Sequence, residues 1–137
     1  MFTPEKRSEI MSKIRAKDTK IEVSLRKCLW HEGIIGFRLR PKIPGKPDIV
    51  FTKYKVAVFC DGDFWHGFKF SEWSNRLSPY WFSKISGNME RDKRNDNLLS
   101  ELGWLTVHLW EHELEKDMDI SILKVKTALK SRGFVEK

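Results

Sequence analysis

The chain contains few cysteines and no long apolar segment. Two of its 137 residues are cysteine, Cys28 and Cys60, which excludes a disulfide framework and a zinc site made mainly of thiolates. No run of about 18 apolar residues is present, and the beginning MFTPEKRSEIM does not resemble a signal peptide. Because repeats and Gly/Ser-rich linkers are missing too, we expect a single domain over residues 1–137, in a reducing cytoplasm.

The excess of basic charge lies in the first third of the chain. Residues 1–47 contain 12 Lys and Arg against 5 Asp and Glu, whereas residues 48–137 contain 14 of each. Such a field suits a polyanion, and nucleic acid is favoured over a membrane because no basic amphipathic anchor is evident. A basic surface without a partner explains the charge equally well. Residues 1–17 are therefore a basic arm or helix and a candidate DNA contact.

The order of predicted elements indicates an α/β fold. Helical patterns cover residues 4–16, the segment from Thr19 to Gly33, and residues 80–102 and 119–131. Strand patterns cover residues 35–40, 48–52, 54–60 and 104–110, the last two buried, with a tight turn at Lys53 and Tyr54 and an aromatic-rich loop over 61–79. The order α-β-β-β-α-β-α predicts a mixed central β-sheet with helices on both faces.

Carboxylates and a histidine follow the predicted strands. Asp48 opens one strand, the segment Cys60-Asp-Gly-Asp-Phe-Trp-His66 follows the next, and Glu22 lies near the start of a helix. A hairpin would bring Asp48 close to residues 60–61. Carboxylates gathered there repel one another unless a cation lies between them, and Mg²⁺ binds through such ligands together with a substrate phosphate. The metal would polarise the phosphoryl group and activate a water, while His66 acts as general base or protonates the leaving oxygen.

Each of these residues also has a purely structural explanation. Asp48 can cap a turn after proline, and Glu22 can complete a capping box with Thr19. Asp61 and Asp63 suit a polar turn, and His66 suits a hydrogen-bonded structural histidine.

Aromatic residues are concentrated next to these groups. Eight of the 17 Phe, Trp and Tyr residues lie within residues 64–82. Large apolar side chains beside a phosphate-cleaving site would serve to separate base pairs and kink a duplex. The alternative is a satellite cluster packed under a long loop. The charged segment 89–96 suits a solvated helix face with local ion pairs, with Arg91, Lys93 and Arg94 as alternative phosphate contacts.

Five segments occur in order over about residues 8–115 and carry a family pattern. They are Met11 to Glu22 (M-x-x-I-x-x-K-D-T-x-I-E), P-G-K-P-D-I-V at 44–50, F-x-x-G-x-F-W-H at 59–66, the segment 81–92 ending G-N-M-E-R-D, and E-L-G-W at 101–104 with Trp110-Glu111. With this pattern the chain resembles the very short patch repair endonucleases, a branch of the restriction-endonuclease-like superfamily. The resemblance implies a restriction-endonuclease-like fold, in agreement with the order of elements.

The resemblance implies roles for four residues of the site. The family's P-G-x-P-D aspartate, here Asp48, binds Mg²⁺, and the residue after the phenylalanine of the central strand, here Cys60, contributes its backbone to the metal. The F-W-H histidine, His66, acts in catalysis, and the helical glutamate, Glu22, supports the site. The family nicks one strand 5′ to the thymine of a T:G mismatch left by deamination of 5-methylcytosine.

The resemblance also implies contacts with double-stranded DNA. The family's intercalating residues correspond to Phe64, Trp65 and Trp81, with Met11 as the N-terminal one. Basic candidates for phosphate contacts are Lys13, Arg15, Lys42 and Lys46. The implied partner is mismatched duplex DNA with no membrane, and partners among other repair proteins cannot be identified from the sequence.

The sequence departs from the family pattern in two places. Members usually hold a structural zinc through Cys and His residues at positions that are Asp63, Phe68, Phe70 and His112 here, so we expect no structural zinc. A histidine that follows the central strand in the best-known members is Asp61, which adds a carboxylate to the expected metal site.

The sequence thus predicts a Mg²⁺-dependent DNA endonuclease that nicks one strand near a T:G mismatch. Asp48, the Cys60 carbonyl and Asp61 would hold the metal, His66 would transfer protons and Glu22 would position a water. Two alternatives stay open: a related restriction-like nuclease of a restriction-modification or mobile-element system, and a non-catalytic DNA-binding module.

Overall fold

A four-stranded mixed sheet forms the centre of the fold. The computed structural model describes residues 19–136. The strands lie side by side in chain order: β1 (Arg38–Leu39), β2 (Ile49–Phe51), β3 (Val56–Asp61) and β4 (Leu105–Trp110). The pairs β1–β2 and β2–β3 are antiparallel, whereas β3 and β4 are parallel. The mixed sheet predicted from the sequence is confirmed.

Helices cover both faces of this sheet, as predicted. They are α1 (Lys20–His31), α2 (Phe70–Trp73), a 3₁₀ turn (Ser74–Arg76), α3 (Pro79–Glu101), α4 (Glu111–Lys116) and α5 (Met118–Ser131). Side chains alternate along β2, so that Ile49 and Phe51 join the core formed with α1 and α5, while Val50 packs with Leu99 of α3 on the opposite face. The strand β3 is buried on both faces, which explains its nearly continuous apolar sequence.

The start of α1 is fixed by the residue that the sequence indicates. Thr19 has extended backbone angles, and its Oγ1 accepts a hydrogen bond from the backbone N–H of Glu22 at 3.3 Å. The cap therefore places Glu22 in the first turn, at the end of the helix where a negative charge is favourable.

Several predicted boundaries differ from the structure. The strand expected over 35–40 is reduced to β1 because Gly36 and Arg40, on either side of it, have positive φ angles of 83° and 46°. The expected two-residue turn is a four-residue turn over 52–55, closed by a positive φ of 52° at Lys55. The strand β4 is buried mainly at Leu109, because it is the last strand of the sheet.

The segment 61–79, expected as a loop, contains α2 and the 3₁₀ turn. The helix α3 is not interrupted at Gly87, where a Cβ atom would have no neighbour within 4 Å. Over residues 19–136, no helix combines the length and apolar content needed to cross a membrane. The expected helix over 4–16, the arm 1–17 and the candidate contacts Met11, Lys13 and Arg15 lie outside the described residues.

Candidate active site

The predicted carboxylates and His66 lie around one open groove of about 1150 Å³. Glu22 comes from the first turn of α1, Asp48 directly precedes β2, and Asp61 ends β3. The antiparallel pairing of β2 with β3 places the start of one strand beside the end of the other, as the sequence predicted. Polar residues of the opposite wall come from α3 and α4: Arg91, Asp92, Asn95, Glu111 and Glu115.

Asp48 is held firmly at the bottom of the β2–β3 pair. Its Oδ2 accepts a hydrogen bond from the backbone N–H of Cys60 at 2.7 Å, and its own N–H donates to the carbonyl of Val58 at 3.0 Å. Proline before Asp48 restricts the entry of the chain. The carboxylate is therefore fixed next to the backbone N–H of Cys60. That Asp48 and the Cys60 carbonyl bind a metal stays a prediction.

The surroundings of Asp48 disfavour its negative charge. Burial raises the pKa of Asp48 most; the Cys60 hydrogen bond opposes this effect, and the carboxylates of Glu22 and Asp61 reinforce it, so that the pKa reaches about 7. A cation near these carboxylates would remove the repulsion between them.

The thiol of Cys60 does not contribute a negative charge. Burial, followed by the charges of Asp48 and Glu22, raises the pKa of the thiol far above its usual range. Without a cation the thiol is therefore neutral, and the family resemblance implies that Cys60 contributes its backbone. Among residues 19–136, no group of three or more His, Cys, Asp or Glu side chains is arranged to hold a metal ion. A cation here would have one or two carboxylate ligands, which is how Mg²⁺ usually binds beside a substrate phosphate.

His66 is oriented by an aspartate that the sequence did not identify. Its Nδ1 lies 2.5 Å from Oδ2 of Asp92 in α3, and its Nε2 lies 3.9 Å from Oδ1 of Asp61. A neutral ring that donates from Nδ1 to a carboxylate has its lone pair on Nε2, the tautomer needed for a general base. The spacing G-N-M-E-R-D could have suggested Asp92, but its mixed charges favour a solvated helix face. The contact spans 26 residues of sequence.

The close approach of the His66 loop to α3 depends on Gly67. This glycine has a φ of 71°, and a Cβ at its position would overlap the side chain of Met89. A glycine is therefore needed for the loop to lie against α3. The loop thereby places His66 within reach of Asp92, one helical turn beyond Met89.

Asp61 is buried, with only 5% of its surface exposed, and it bonds to a second histidine. Its Oδ2 lies 2.6 Å from Nδ1 of His108 in β4, and Nε2 of His108 lies 2.8 Å from Oδ2 of Asp96 in α3. Burial lowers the pKa of His108, but hydrogen bonds and charge from Asp61 and Asp96 outweigh burial and raise it to about 9. Neither His108 nor Asp96 was identified from the sequence, because His108 alternates in a strand with apolar neighbours.

Basic residues border the groove. A smaller adjoining pocket is lined by Glu22, Arg40, Pro41, Lys42, Ile43, Lys46 and Asp48. The predicted phosphate contacts Lys42 and Lys46 are both exposed there. Arg40 approaches Glu22, with 3.7 Å between its guanidinium and the carboxylate. Lys42 and Lys46 therefore line the same pocket as Asp48 and are exposed to solvent.

The aromatic residues form a packed cluster. Trp65 and Trp81 are 6% and 8% exposed and surround the fully buried Ile85, with Phe64 packed against them. The ring centroids of Phe64 and Trp81 are 5.3 Å apart, and those of Trp65 and Trp81 are 5.8 Å apart. This arrangement is the satellite cluster that was the alternative interpretation of these residues. Intercalation by Phe64, Trp65 and Trp81 stays a prediction, and it requires the cluster to open.

The positions that hold zinc in the resembled family have other contacts. Nδ1 of His112 lies 2.9 Å from Oδ1 of Asp63, and the ring of Phe68 lies 4.3 Å from that of His112 and 5.0 Å from that of Trp110. Phe70 packs into the aromatic cluster instead. Two of the four positions carry no metal-binding atom, so these residues do not fit a four-ligand zinc site.

The sheet and the site together define a class of enzyme. A mixed sheet flanked by helices, with carboxylates where β2 begins and β3 ends, is that of a restriction-endonuclease-like enzyme. A family model described as "DNA mismatch endonuclease Vsr" matches residues 1–72. The chain belongs to this Vsr family and is a DNA endonuclease by class.

Proteins similar to this chain are named nicking enzymes or mismatch endonuclease. It is 35% identical over 142 residues to the type II nicking enzyme V.NmeDIP of Neisseria meningitidis serogroup C, covering 99% of this chain and 94% of the relative. It is 36% identical to the type II nicking enzyme V.HpaIIP of Haemophilus parainfluenzae, covering 96% of each. It is 38% identical to the DNA mismatch endonuclease Vsr of Escherichia coli K12, covering 77% of this chain and 69% of the relative.

Proposed function

We propose that the protein is a Mg²⁺-dependent endonuclease that nicks one strand of duplex DNA near a T:G mismatch. One observation carries the proposal: Asp48, with its pKa raised to about 7, lies between the Cys60 backbone and two further carboxylates. The names of the relatives, mismatch endonuclease and nicking enzymes, support the substrate and the single-strand cut.

The residues of the site would share the work as follows. Asp48 and the Cys60 carbonyl would hold Mg²⁺, which when bound supplies charge that polarises a phosphoryl group and makes nearby water more acidic. Asp61 was expected as a further ligand, but its Oδ2 contacts His108 and its Oδ1 faces His66, so we do not assign it to the metal. His66 accepts the proton from the attacking water at Nε2, because Asp92 fixes the hydrogen on Nδ1. Glu22 lies beside Asp48 and offers a carboxylate to orient that water.

The exposed lysines next to the site would bind the DNA backbone. Lys42 and Lys46 line a pocket that also contains Asp48, so phosphates held there would lie next to the reacting group. Neutralising phosphates with lysine makes affinity depend on salt.

The proposal is tested by a nicking assay on a T:G duplex with and without Mg²⁺. We expect Asp48→Ala to abolish nicking while leaving DNA binding largely intact, and the exposed Asp119→Ala to behave as wild type. Nicking by Asp48→Ala at the wild-type rate, or wild-type nicking without any divalent cation, would contradict the site assignment.

A second candidate differs in substrate. Five relatives are named type II nicking enzymes, which favours a nuclease associated with a restriction-modification system. A panel of T:G, matched and branched duplexes separates the two, because equal cutting of matched and mismatched DNA would favour this candidate. A non-catalytic binding module is not supported, since the chain belongs to an endonuclease family.

A further inference from the structure

Two histidines and three aspartates form a continuous row behind the groove. Asp92 bonds to His66, whose Nε2 faces Oδ1 of Asp61 at 3.9 Å. The other oxygen of Asp61 bonds to His108 at 2.6 Å, and His108 in turn bonds to Asp96 at 2.8 Å. Carboxylates and imidazoles therefore alternate from α3 across the site and back to α3.

His108 lies between two carboxylates and contacts one with each ring nitrogen. Its Nδ1 contacts Asp61, and its Nε2 contacts both oxygens of Asp96, at 2.9 and 2.8 Å. One ring therefore contacts both carboxylates, and the position of Asp61 is linked through His108 to that of Asp96.

The backbone and packing fix the position of His108. Residue 108 is paired with Phe59 in the parallel register of β3 and β4, and the two rings stack with centroids 4.6 Å apart and planes 14° apart. Asp92 and Asp96 are four residues apart in α3 and so share one face of that helix. One helix therefore aligns both imidazoles.

We propose that His108, held by Asp96, is a positioning residue that fixes the Asp61 carboxylate opposite Nε2 of His66. The distance of 3.9 Å is too long for a hydrogen bond to a neutral ring. Asp61 instead lies where it faces the proton that Nε2 takes up from the attacking water during strand cleavage. This inference rests on the proposed function, because it assigns Asp61 and His108 to the proton transfer by His66.

Asp61 needs this support because it shares the site with other acids. It is 5% exposed and its charge contributes to the raised pKa of Asp48. A buried carboxylate beside other acids keeps its position only when a hydrogen-bond partner holds it there. Without His108, Asp61 would turn toward solvent or toward Asp48 and no longer face His66.

The test is a single-turnover nicking assay with the full chain in excess over a T:G duplex, in Mg²⁺. We expect His108→Gln to slow nicking about 10- to 100-fold, because a displaced group in a site of this kind costs up to about 10²-fold. The dissociation constant for the duplex, measured without Mg²⁺, should change less than about twofold, since His108 contacts Asp61, Asp96 and Phe59, none of which is a predicted phosphate contact. The exposed His31→Gln is the matched control and should nick as wild type.

A double variant separates positioning from a merely structural role. We expect Asp61→Asn to slow nicking to a similar extent, and Asp61→Asn with His108→Gln to be no slower than Asp61→Asn alone. If His108→Gln does not fold, Asp96→Asn, which keeps its shape and one acceptor oxygen, should still slow nicking measurably.

Two results overturn the inference and are distinct from failure of the proposed function. Wild-type nicking by both His108→Gln and Asp96→Asn would refute the positioning role, as would full additivity in the double variant. If one of these results is found while Asp48→Ala is inactive in the same assay, the proposed function stands and only this inference fails. If Asp48→Ala also nicks as wild type, the proposed function fails, and the inference that rests on it fails too.

Discussion

Replacing Asp48 by asparagine should make the metal-free protein more stable while abolishing nicking. The side chain keeps its shape, and its oxygen can still accept the hydrogen bond from Cys60. What is lost is the charge that burial, Glu22 and Asp61 disfavour. A site whose carboxylates are needed for a cation, rather than for folding, should gain stability when one of them becomes neutral.

The expected gain follows from the shift of the Asp48 pKa from 3.8 to about 7. Three units correspond to an upper limit of about 4 kcal/mol in the free energy of unfolding. Because Glu22 and Asp61 can relax away from Asp48, and asparagine must also be desolvated, we expect about 2 kcal/mol. In a chain of this length that raises the melting temperature by about 6 to 10 °C.

The gain should depend on pH in a defined direction. Below about pH 4 both folded and unfolded Asp48 are protonated, so the variant has no advantage. As pH rises from 3.8 to about 7, the unfolded chain releases the proton that the folded chain retains, and wild-type stability falls. The advantage of Asp48→Asn is therefore complete only above about pH 7.

The assay is thermal or urea unfolding in EDTA at about pH 5 and about pH 8, with Asp119→Asn as an exposed control that should gain nothing. The reasoning is refuted if Asp48→Asn is no more stable than wild type at the higher pH. It is refuted equally if the gain is the same at both pH values.

Two further predictions concern the cation and the aromatic cluster. Mg²⁺ should raise the wild-type melting temperature more at about pH 8 than at about pH 5.5, because protons compete for Asp48, whose pKa is about 7. The melting temperature of Asp48→Asn should not respond to Mg²⁺ in this way. An equal response in both proteins would place the cation elsewhere. Trp81→Ala should lower the free energy of unfolding, measured in urea, by about 3 to 5 kcal/mol, since Trp81 packs on Trp65 and Ile85. Phe82→Ala, at an exposed position, should lower it by less than about 1 kcal/mol. Wild-type stability of Trp81→Ala would show that the cluster is not part of the core.

The sheet could be predicted because its pattern is local. Both β2 and β3 are buried on both faces of the sheet, so each is a continuous apolar run in the sequence, and such runs indicate buried strands. The short length of β1 could not be predicted, because Arg40 has a positive φ and arginine rarely adopts one.

The site could be predicted where its residues lie at strand ends or in the family's motifs. Asp48 and residues 60–61 are joined by one hairpin, so their proximity follows from pairing alone. Asp92 and His108 reach the site across 26 and 47 residues; the motif that ends in Asp92 does not indicate the contact with His66, and the apolar strand around His108 does not indicate the contact with Asp61. The aromatic residues illustrate the same limit, because composition does not distinguish a wedge for DNA from a cluster that fills a gap beneath α3.

Charge within the groove argues for a division between binding and cutting. Within residues 19–136, six acidic side chains line it against three of Lys or Arg, so this part of the groove disfavours a phosphate backbone. DNA would therefore be attracted by the lysines at the margin, Lys42 and Lys46, and by the basic first third of the chain. In the proposed function, a cation beside Asp48 would offset this repulsion, since burial and the neighbouring carboxylates disfavour the charge of Asp48. We therefore expect binding without a divalent cation and cutting only with one, which the nicking and binding assays measure separately.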